Sequence, residues 1–210
     1  MHYRYIAVEG NIAAGKSTLA SLLATHYNAK LMLEEFADNT FLPKFYHEKE
    51  RYAFPLELSF LTDRYKQMKR TLLQQELFHE KVVSDYILLK SKLFAKINLP
   101  ADEYALFEKI YKIAETNLPE PDLVIFLYSP IKKLQENIKK RARSYEQNIQ
   151  DSYLQDVQNM YDEYLELNLQ KCIFIDVTQV DFVHNPSHFH QLIQVLNQPA
   201  TARTHYLEIL

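Results

Sequence analysis

Five short, mainly apolar runs punctuate this chain, and between them apolar positions recur at helical spacing. The runs are Tyr3–Val8, Ala29–Leu33, Lys81–Ser84, Leu123–Tyr128 and Ile173–Val177, and each is predicted to be a strand. The longest intervening helix is predicted over Arg51–Leu77. Its apolar residues Phe54, Leu58, Leu61, Tyr65, Met68 and Leu72 fall three or four apart. Pro55 falls in its first turns, where proline is best tolerated. Leu99–Asp102 breaks the next helical region, and Pro119–Asp122 ends another and delivers the chain to the fourth strand. Strands separated by helices imply βαβ units. The prediction is an α/β, three-layer fold with a five-stranded parallel sheet flanked by helices. Ligands of such sheets bind beyond the carboxyl ends of the strands, so the residues just after each strand carry the chemistry.

The residues after the first strand are Gly10-Asn11-Ile12-Ala13-Ala14-Gly15-Lys16-Ser17, the G-x-x-x-x-G-K-S pattern of a phosphate-binding loop. Gly10 and Gly15 are the only two glycines in 210 residues. A chain this poor in glycine keeps it where backbone must approach an anion or adopt positive φ. Backbone N–H groups of such a loop cradle phosphates, Lys16 reaches the β/γ-phosphates, and the Ser17 hydroxyl ligates Mg²⁺. Ser17–Ala24 is predicted to be helical, and its N-terminus, with Thr18, adds partial positive charge. The loop predicts a bound triphosphate with Mg²⁺, hence a P-loop fold.

Glu34-Glu35 follows the second strand and Asp85-Tyr86 the third. A hydroxyl acceptor of a phosphoryl group benefits from a carboxylate that takes its proton. Glu34 is the candidate, and one of the two glutamates must point away; a solvated acidic turn is the other reading. Asp85 can hold Mg²⁺ directly or through water, or cap a helix beginning at Tyr86, or both. Glu57 and Arg64 are seven apart on the predicted long helix, on one face and about 10 Å apart along its axis. That spacing could span a nucleoside from base edge to 5′-oxygen; the alternative is two solvated charges. Lys132, Lys133, Lys139, Lys140, Arg141 and Arg143 form a basic stretch. It is either a solvated helix face or a lid whose arginines close over phosphates.

Bulk properties narrow the classes. The length suits one domain, 1–210, with a small helical lid at about 141–150. A net charge of −3 provides no basic field for nucleic acid, and no apolar run reaches membrane-spanning length. Cys172 is the single cysteine and cannot form an internal disulfide, which favours the cytoplasm. His184, His188 and His190 lack a cysteine set and a standard zinc spacing, and read as surface residues around a helix start at Asn185-Pro186-Ser187.

Taken in order, the phosphate loop, Glu34-Glu35-Phe36-Ala37-Asp38-Asn39, Phe45-Tyr46, Glu57 to Tyr65, Ser84-Asp85-Tyr86 and Arg141 to Glu146 resemble the deoxynucleoside kinases, in particular the bacterial deoxyguanosine and deoxyadenosine kinases. The resemblance extends to about Leu196. It implies a homodimer that phosphorylates a deoxynucleoside 5′-hydroxyl from ATP. It also implies that Glu34 is the base at the 5′-oxygen, with Arg64 near that oxygen. Tyr46 and Glu146 would hold the sugar 3′-hydroxyl, and Arg141 and Arg143 would be lid arginines on the phosphates. Asp85 would be the acidic residue of the family's Asp/Glu-Arg-Ser motif, and Asp176 to Phe182 would meet the ATP adenine.

Three positions depart from the family pattern. The motif arginine is Tyr86 here, with Lys90, Lys92 or a lid residue as its replacement. The lid's Arg-Gly-Arg is Arg141-Ala142-Arg143, which stiffens the backbone. The glutamine of the base-reading helix is Glu57. An ionised carboxylate offers acceptors only, and guanine presents two adjacent donors, N1–H and N2–H₂. Adenine presents one donor beside the N1 acceptor. Deoxyguanosine is therefore the expected substrate, with deoxyadenosine or a broader deoxynucleoside range as the alternative. A nucleoside-monophosphate kinase and a nucleotide-dependent switch are the remaining readings. The first lacks a cationic acceptor site, and the second, if a GTPase, lacks an Asn-Lys-x-Asp sequence.

Overall fold

The computed structural model describes residues 3–35, 39–73, 80–167, 171–198 and 204–209. Phe36-Ala37-Asp38 of the second motif and the last residues of the helix predicted to Leu77 lie outside them. The strands are β1 (Tyr5–Gly10), β2 (Lys30–Met32), β3 (Val82–Ser84), β4 (Leu123–Tyr128), β5 (Cys172–Asp176) and β6 (Thr204–Leu207). The helices are α1 (Lys16–Tyr27), α2 (Leu42–His47), α3 (Lys49–Leu73), α4 (Leu89–Asn98), α5 (Ala101–Glu115), α6 (Ile131–Arg141), α7 (Asp151–Leu167) and α8 (Pro186–Leu196).

All five strand pairings are parallel, in the order β2-β3-β1-β4-β5-β6. The expected five strands are thus joined by a sixth. It went unseen because an edge strand carries little burial pattern: His205 and Tyr206 are exposed, and the strand is held by its ladder to β5 and the Tyr206 ring against Phe174. The long helix starts two residues earlier than expected, so Pro55 lies inside it, beyond the first turn. Its missing N–H leaves the Arg51 carbonyl without an intrahelical donor.

Period-two alternation divides β1 and β4 between two cores. Ile6 and Val8, with Leu123, Ile125 and Leu127, pack against Leu19 and Leu23 of α1, Leu134 and Ile138 of α6, and Leu192 of α8. On the other face, Tyr5 and Ala7 meet Leu61 and Met68 of α3 and Phe107 and Tyr111 of α5, while Val124 and Phe126 meet Val157 and Tyr161 of α7. Burial on both faces explains the uninterrupted apolar run of β4. Next in sequence after β1 is the edge strand β2, whereas β3 and β4 flank β1 in space. This reversal opens a crevice at the carboxyl end of β1, where the glycine-rich loop emerges.

The two glycines serve different needs. Gly10 has φ +146°, and a Cβ there would lie 2.5 Å from the Leu127 carbonyl oxygen. Gly15 has open space around it but φ +96°, the turn that starts α1. Ala142 ends α6 at φ +56°, a left-handed position that costs a non-glycine residue about 1 kcal/mol.

Candidate active site

Four sequence-distant segments converge on an open cavity at this sheet edge. The glycine-rich loop forms one wall, pinned to α7 because Asn11 Nδ2 donates to the Leu154 carbonyl at 2.9 Å. Lys16 folds back over the loop and donates to the Gly10 and Asn11 carbonyls at 2.9 and 2.8 Å. Burial and the nearby Lys90 charge pull its ammonium down to about 8. Beneath the loop, buried Glu9 ends the apolar run of β1. Its carboxyl accepts from Tyr161 Oη at 2.8 Å and from the Ile87 N–H at 2.9 Å, tying β1 to α7 and to the segment after β3. Burial raises its pKa against the pull of Lys90 and Lys16. Its sequence signal is that it is the one charged residue in β1.

Glu34, just after β2, lies at the centre of the charged end. Arg64 Nε donates to its Oε1 at 2.8 Å, with a second bond from Nη2 to the same oxygen, and Lys90 Nζ pairs with its Oε2. Burial pushes this carboxyl up, but the two cations overrule it and hold it well below the usual range. Glu35 is the glutamate that points away: it is exposed and accepts from Gln67 Nε2 at 3.1 Å. The Glu34 N–H donates to Asp85 Oδ1 at 2.7 Å, and the Ser17 hydroxyl donates to Asp85 Oδ2. Asp85 therefore joins the first three strand ends. It does not cap a helix, since α4 begins only at Leu89. A hydroxyl whose proton goes to Asp85 keeps its lone pairs for a cation, so Ser17 with Asp85 is a donor set that fits Mg²⁺.

The lysines named as replacements for the motif arginine lie in different surroundings. Tyr86 is fully buried and gives its hydroxyl to Gln67 Oε1. Lys90, one turn into the following segment, reaches Glu34, whereas Lys92 pairs with Glu108 at 3.0 Å on the surface.

The basic stretch is not uniform. Lys132, Lys133, Lys139 and Lys140 are exposed on α6. Arg141 and Arg143 turn inward to buried Glu146, which lies on a single 3₁₀ turn, Ser144–Glu146, before α7. Glu146 is thus engaged by both arginines. The Tyr46 ring stacks on Tyr145 beside it, with centroids 6.2 Å apart.

The far end of the cavity is different in character. Leu56, Phe45, Phe60 and Phe94 line it, with Glu57 and Asn98 among them. Glu57 is 2% exposed, and its Oε1 accepts from Asn98 Nδ2 at 2.7 Å. Burial raises its carboxyl to about 7, against the Asn98 bond and the charges of Arg64 and Lys90. Asn98, Tyr153, Phe60 and Phe94 were not singled out from the sequence. Asn98 ends α4 just before Leu99-Pro100, where an asparagine reads as a helix-stop residue. Only the packing of α4 against α3 turns it toward the cavity.

The histidines are held locally. His184 Nδ1 meets Asp181 Oδ2 at 2.9 Å, the Asp181 N–H donates to His188 Nδ1 at 3.0 Å, and His190 Nδ1 lies 2.7 Å from the Pro186 carbonyl. Asn185 caps α8 by accepting from the Ser187 N–H, as the sequence predicts for a helix start. Asp176–Phe182 follows β5 at the same sheet edge as the loop.

Comparison with known proteins agrees with this architecture. The fold is similar to that of a deoxyadenosine kinase from M. mycoides with bound dATP, at a TM-score of 0.78 and 23% identity over 93% of this chain and 100% of that one. The same kinase with product dCMP and a flexible dCDP gives 0.77 at 25% identity, covering 92% and 98%. A deoxyguanosine kinase of Bacillus subtilis is 32% identical over 194 residues, 90% of this chain and 93% of its own length. A deoxyadenosine kinase of Lactobacillus acidophilus is 28% identical over 208 residues, 92% and 94% of the two chains. The deoxynucleoside kinase family model matches residues 6–199. With a matching fold, a phosphate loop and a carboxylate at the neighbouring strand end, this chain belongs to the deoxynucleoside kinase family and is a nucleoside-phosphorylating enzyme.

Proposed function

We propose that this enzyme transfers the γ-phosphoryl group of ATP to the 5′-hydroxyl of deoxyguanosine. The observation that carries the base assignment is Glu57. It is a buried carboxylate with one oxygen, Oε2, to which no described residue donates, in an apolar slot at the end of the cavity away from Glu34. An acceptor there fits guanine N1–H or N2–H and opposes adenine N1. Leaving the slot's polar atoms unpaired with the wrong base discriminates strongly, by on the order of 10⁴-fold at the upper end. Similarity to the B. subtilis deoxyguanosine kinase supports the same reading.

In this mechanism Glu34 accepts the 5′-hydroxyl proton, with Arg64 and Lys90 holding its carboxylate ionised and oriented. Gly10 to Thr18 cradles the donor phosphates, and Lys16 exchanges its two carbonyl partners for them. Arg141 and Arg143 move from Glu146 onto the phosphates, freeing Glu146 with Tyr46 to hold the 3′-hydroxyl. Ser17 and Asp85 would hold Mg²⁺, which when bound offsets charge on the triphosphate. The chain acts as one domain with a lid at 141–150. We also infer a homodimer, as the resemblance implies, working in the cytoplasm. Cys172, the single cysteine, cannot form an internal disulfide, which favours a reducing compartment.

Deoxyadenosine is a second reading, favoured by the raised pKa of Glu57. A neutral acid offers a donor as well as an acceptor and can pair with adenine. The deciding test is kcat/KM with ATP and Mg²⁺ for the four deoxynucleosides and their monophosphates. A deoxyguanosine preference is expected. A deoxyadenosine preference would overturn the base assignment, and activity on monophosphates alone would remove Glu34 as the hydroxyl base.

A further inference from the structure

Asn98 and Glu57 share one hydrogen bond and leave two acceptors over. Asn98 Nδ2 donates to Glu57 Oε1 at 2.7 Å and to Tyr153 Oη at 3.2 Å, which uses its amide nitrogen. Glu57 Oε2 and Asn98 Oδ1 are both buried, and no described residue donates to either. Both residues line the same cavity, and both are more than nine-tenths buried. A buried unpaired acceptor is costly, and two from one hydrogen-bonded pair point to a ligand edge carrying two donors.

The orientation of the amide follows from the carboxylate. An ionised Glu57 repels an amide oxygen and attracts an amide nitrogen, so Asn98 must turn Nδ2 toward Glu57 and Oδ1 away from it. We infer that Asn98 is a second specificity-determining residue: its Oδ1 accepts the exocyclic N2 amine of guanine while Glu57 Oε2 accepts N1–H. The inference rests on the deoxyguanosine reading above and deepens it. One carboxylate oxygen is committed inside the protein, so Glu57 alone presents one acceptor, and the second acceptor that guanine needs comes from α4. Tyr153 serves as a positioning residue, since its hydroxyl accepts the other Nδ2 hydrogen and fixes the amide plane.

Deoxyinosine is the probe, because hypoxanthine keeps N1–H and lacks the N2 amine. With ATP and Mg²⁺, wild-type kcat/KM should favour deoxyguanosine over deoxyinosine by about tenfold or more, the worth of one buried hydrogen bond. Asn98→Ala should reduce that ratio to about two or less. It should leave deoxyinosine ahead of deoxyadenosine, since Glu57 still reads N1–H. The ratio is internal to each preparation, so a smaller fraction of folded enzyme does not alter it. If Asn98→Ala gives no active protein, Asn98→Ser is read in the same way.

Equal wild-type rates on deoxyguanosine and deoxyinosine would overturn the role of Asn98 while leaving the deoxyguanosine reading in place. So would a ratio that persists in both variants, since another group would then read the amine. Deoxyadenosine preferred over both 6-oxopurines would overturn the underlying base assignment, and this inference with it.

Discussion

The two ends of the cavity treat buried charge in opposite ways. Around Glu34, each carboxylate oxygen faces a cation and both Asp85 oxygens accept a hydrogen bond. Around Glu57, a more deeply buried carboxyl has one amide partner, and one oxygen is left over. Glu34 therefore lies far below the usual carboxylate range and Glu57 is raised to about 7, although burial acts the same way on both. Desolvation sets the direction of a buried carboxyl's shift only until a cation is placed within hydrogen-bond reach. The end proposed for proton transfer is held in one ionisation state, and the end proposed for recognition is left for a ligand to complete.

The largest break in this contrast should come from Glu34→Gln. With no carboxylate at the 5′-oxygen, kcat should fall by on the order of 10²–10⁴-fold while ATP affinity, measured by calorimetry, stays near wild type. Unchanged turnover would remove Glu34 as base. Next in size is Lys90→Ala against Lys92→Ala. The first removes a cation from Glu34 and should lower kcat by on the order of tenfold or more. It should also move the acid limb of the kcat/KM profile upward, because the Glu34 pKa rises toward its ordinary value. Lys92→Ala breaks a surface pair with Glu108 and should change kcat less than about twofold.

Smaller still is the pH dependence of base choice. Glu57 faces Arg64 on its own helix, Glu34 after β2, Lys90 and Asn98 on α4, Tyr46 on α2, Tyr153 on α7 and Lys49 at the start of α3. The acceptor-only form exists above a pKa of about 7, so the deoxyguanosine-to-deoxyadenosine ratio should rise several-fold between pH 6 and pH 8. Glu57→Gln should lower the ratio and flatten it with pH; a pH-dependent ratio in the variant would assign the titration elsewhere.

The same substitution should also register in melting. A carboxyl raised from 4.5 to about 7 on folding favours the folded state's protonated form. Stability is therefore lost as pH climbs from about 4.5 to about 7 and is not lost further above that. Glu57→Gln should gain on wild type across that window, by at most about 3 kcal/mol, and the gap should stay level at higher pH. Equal melting curves at pH 8 would show that the buried charge is compensated after all.

The elements of this protein were legible wherever local chemistry set them. The apolar run Leu123–Tyr128 is β4 at the expected residues, and the phosphate loop lies between β1 and α1 as its spacing requires. Family membership was also legible, because a set of short motifs in fixed order is a property of sequence itself. β6 was not, because a four-residue edge strand is defined by its neighbour rather than by its own pattern.

Within the site, the sequence determined which chemical groups were available: a lysine and serine on the loop, carboxylates at the strand ends, a glutamate where the family has glutamine, and arginines after α6. Only the tertiary structure decided their pairing. It chose Glu34 over Glu35, Lys90 over Lys92, both lid arginines on Glu146, and Asn98 beside Glu57. Motif identity follows from neighbours a few residues apart along the chain. Charge compensation and hydrogen-bond satisfaction depend on distances of about 3 Å between residues from 3 to 152 apart in sequence, and packing alone brings the distant ones together.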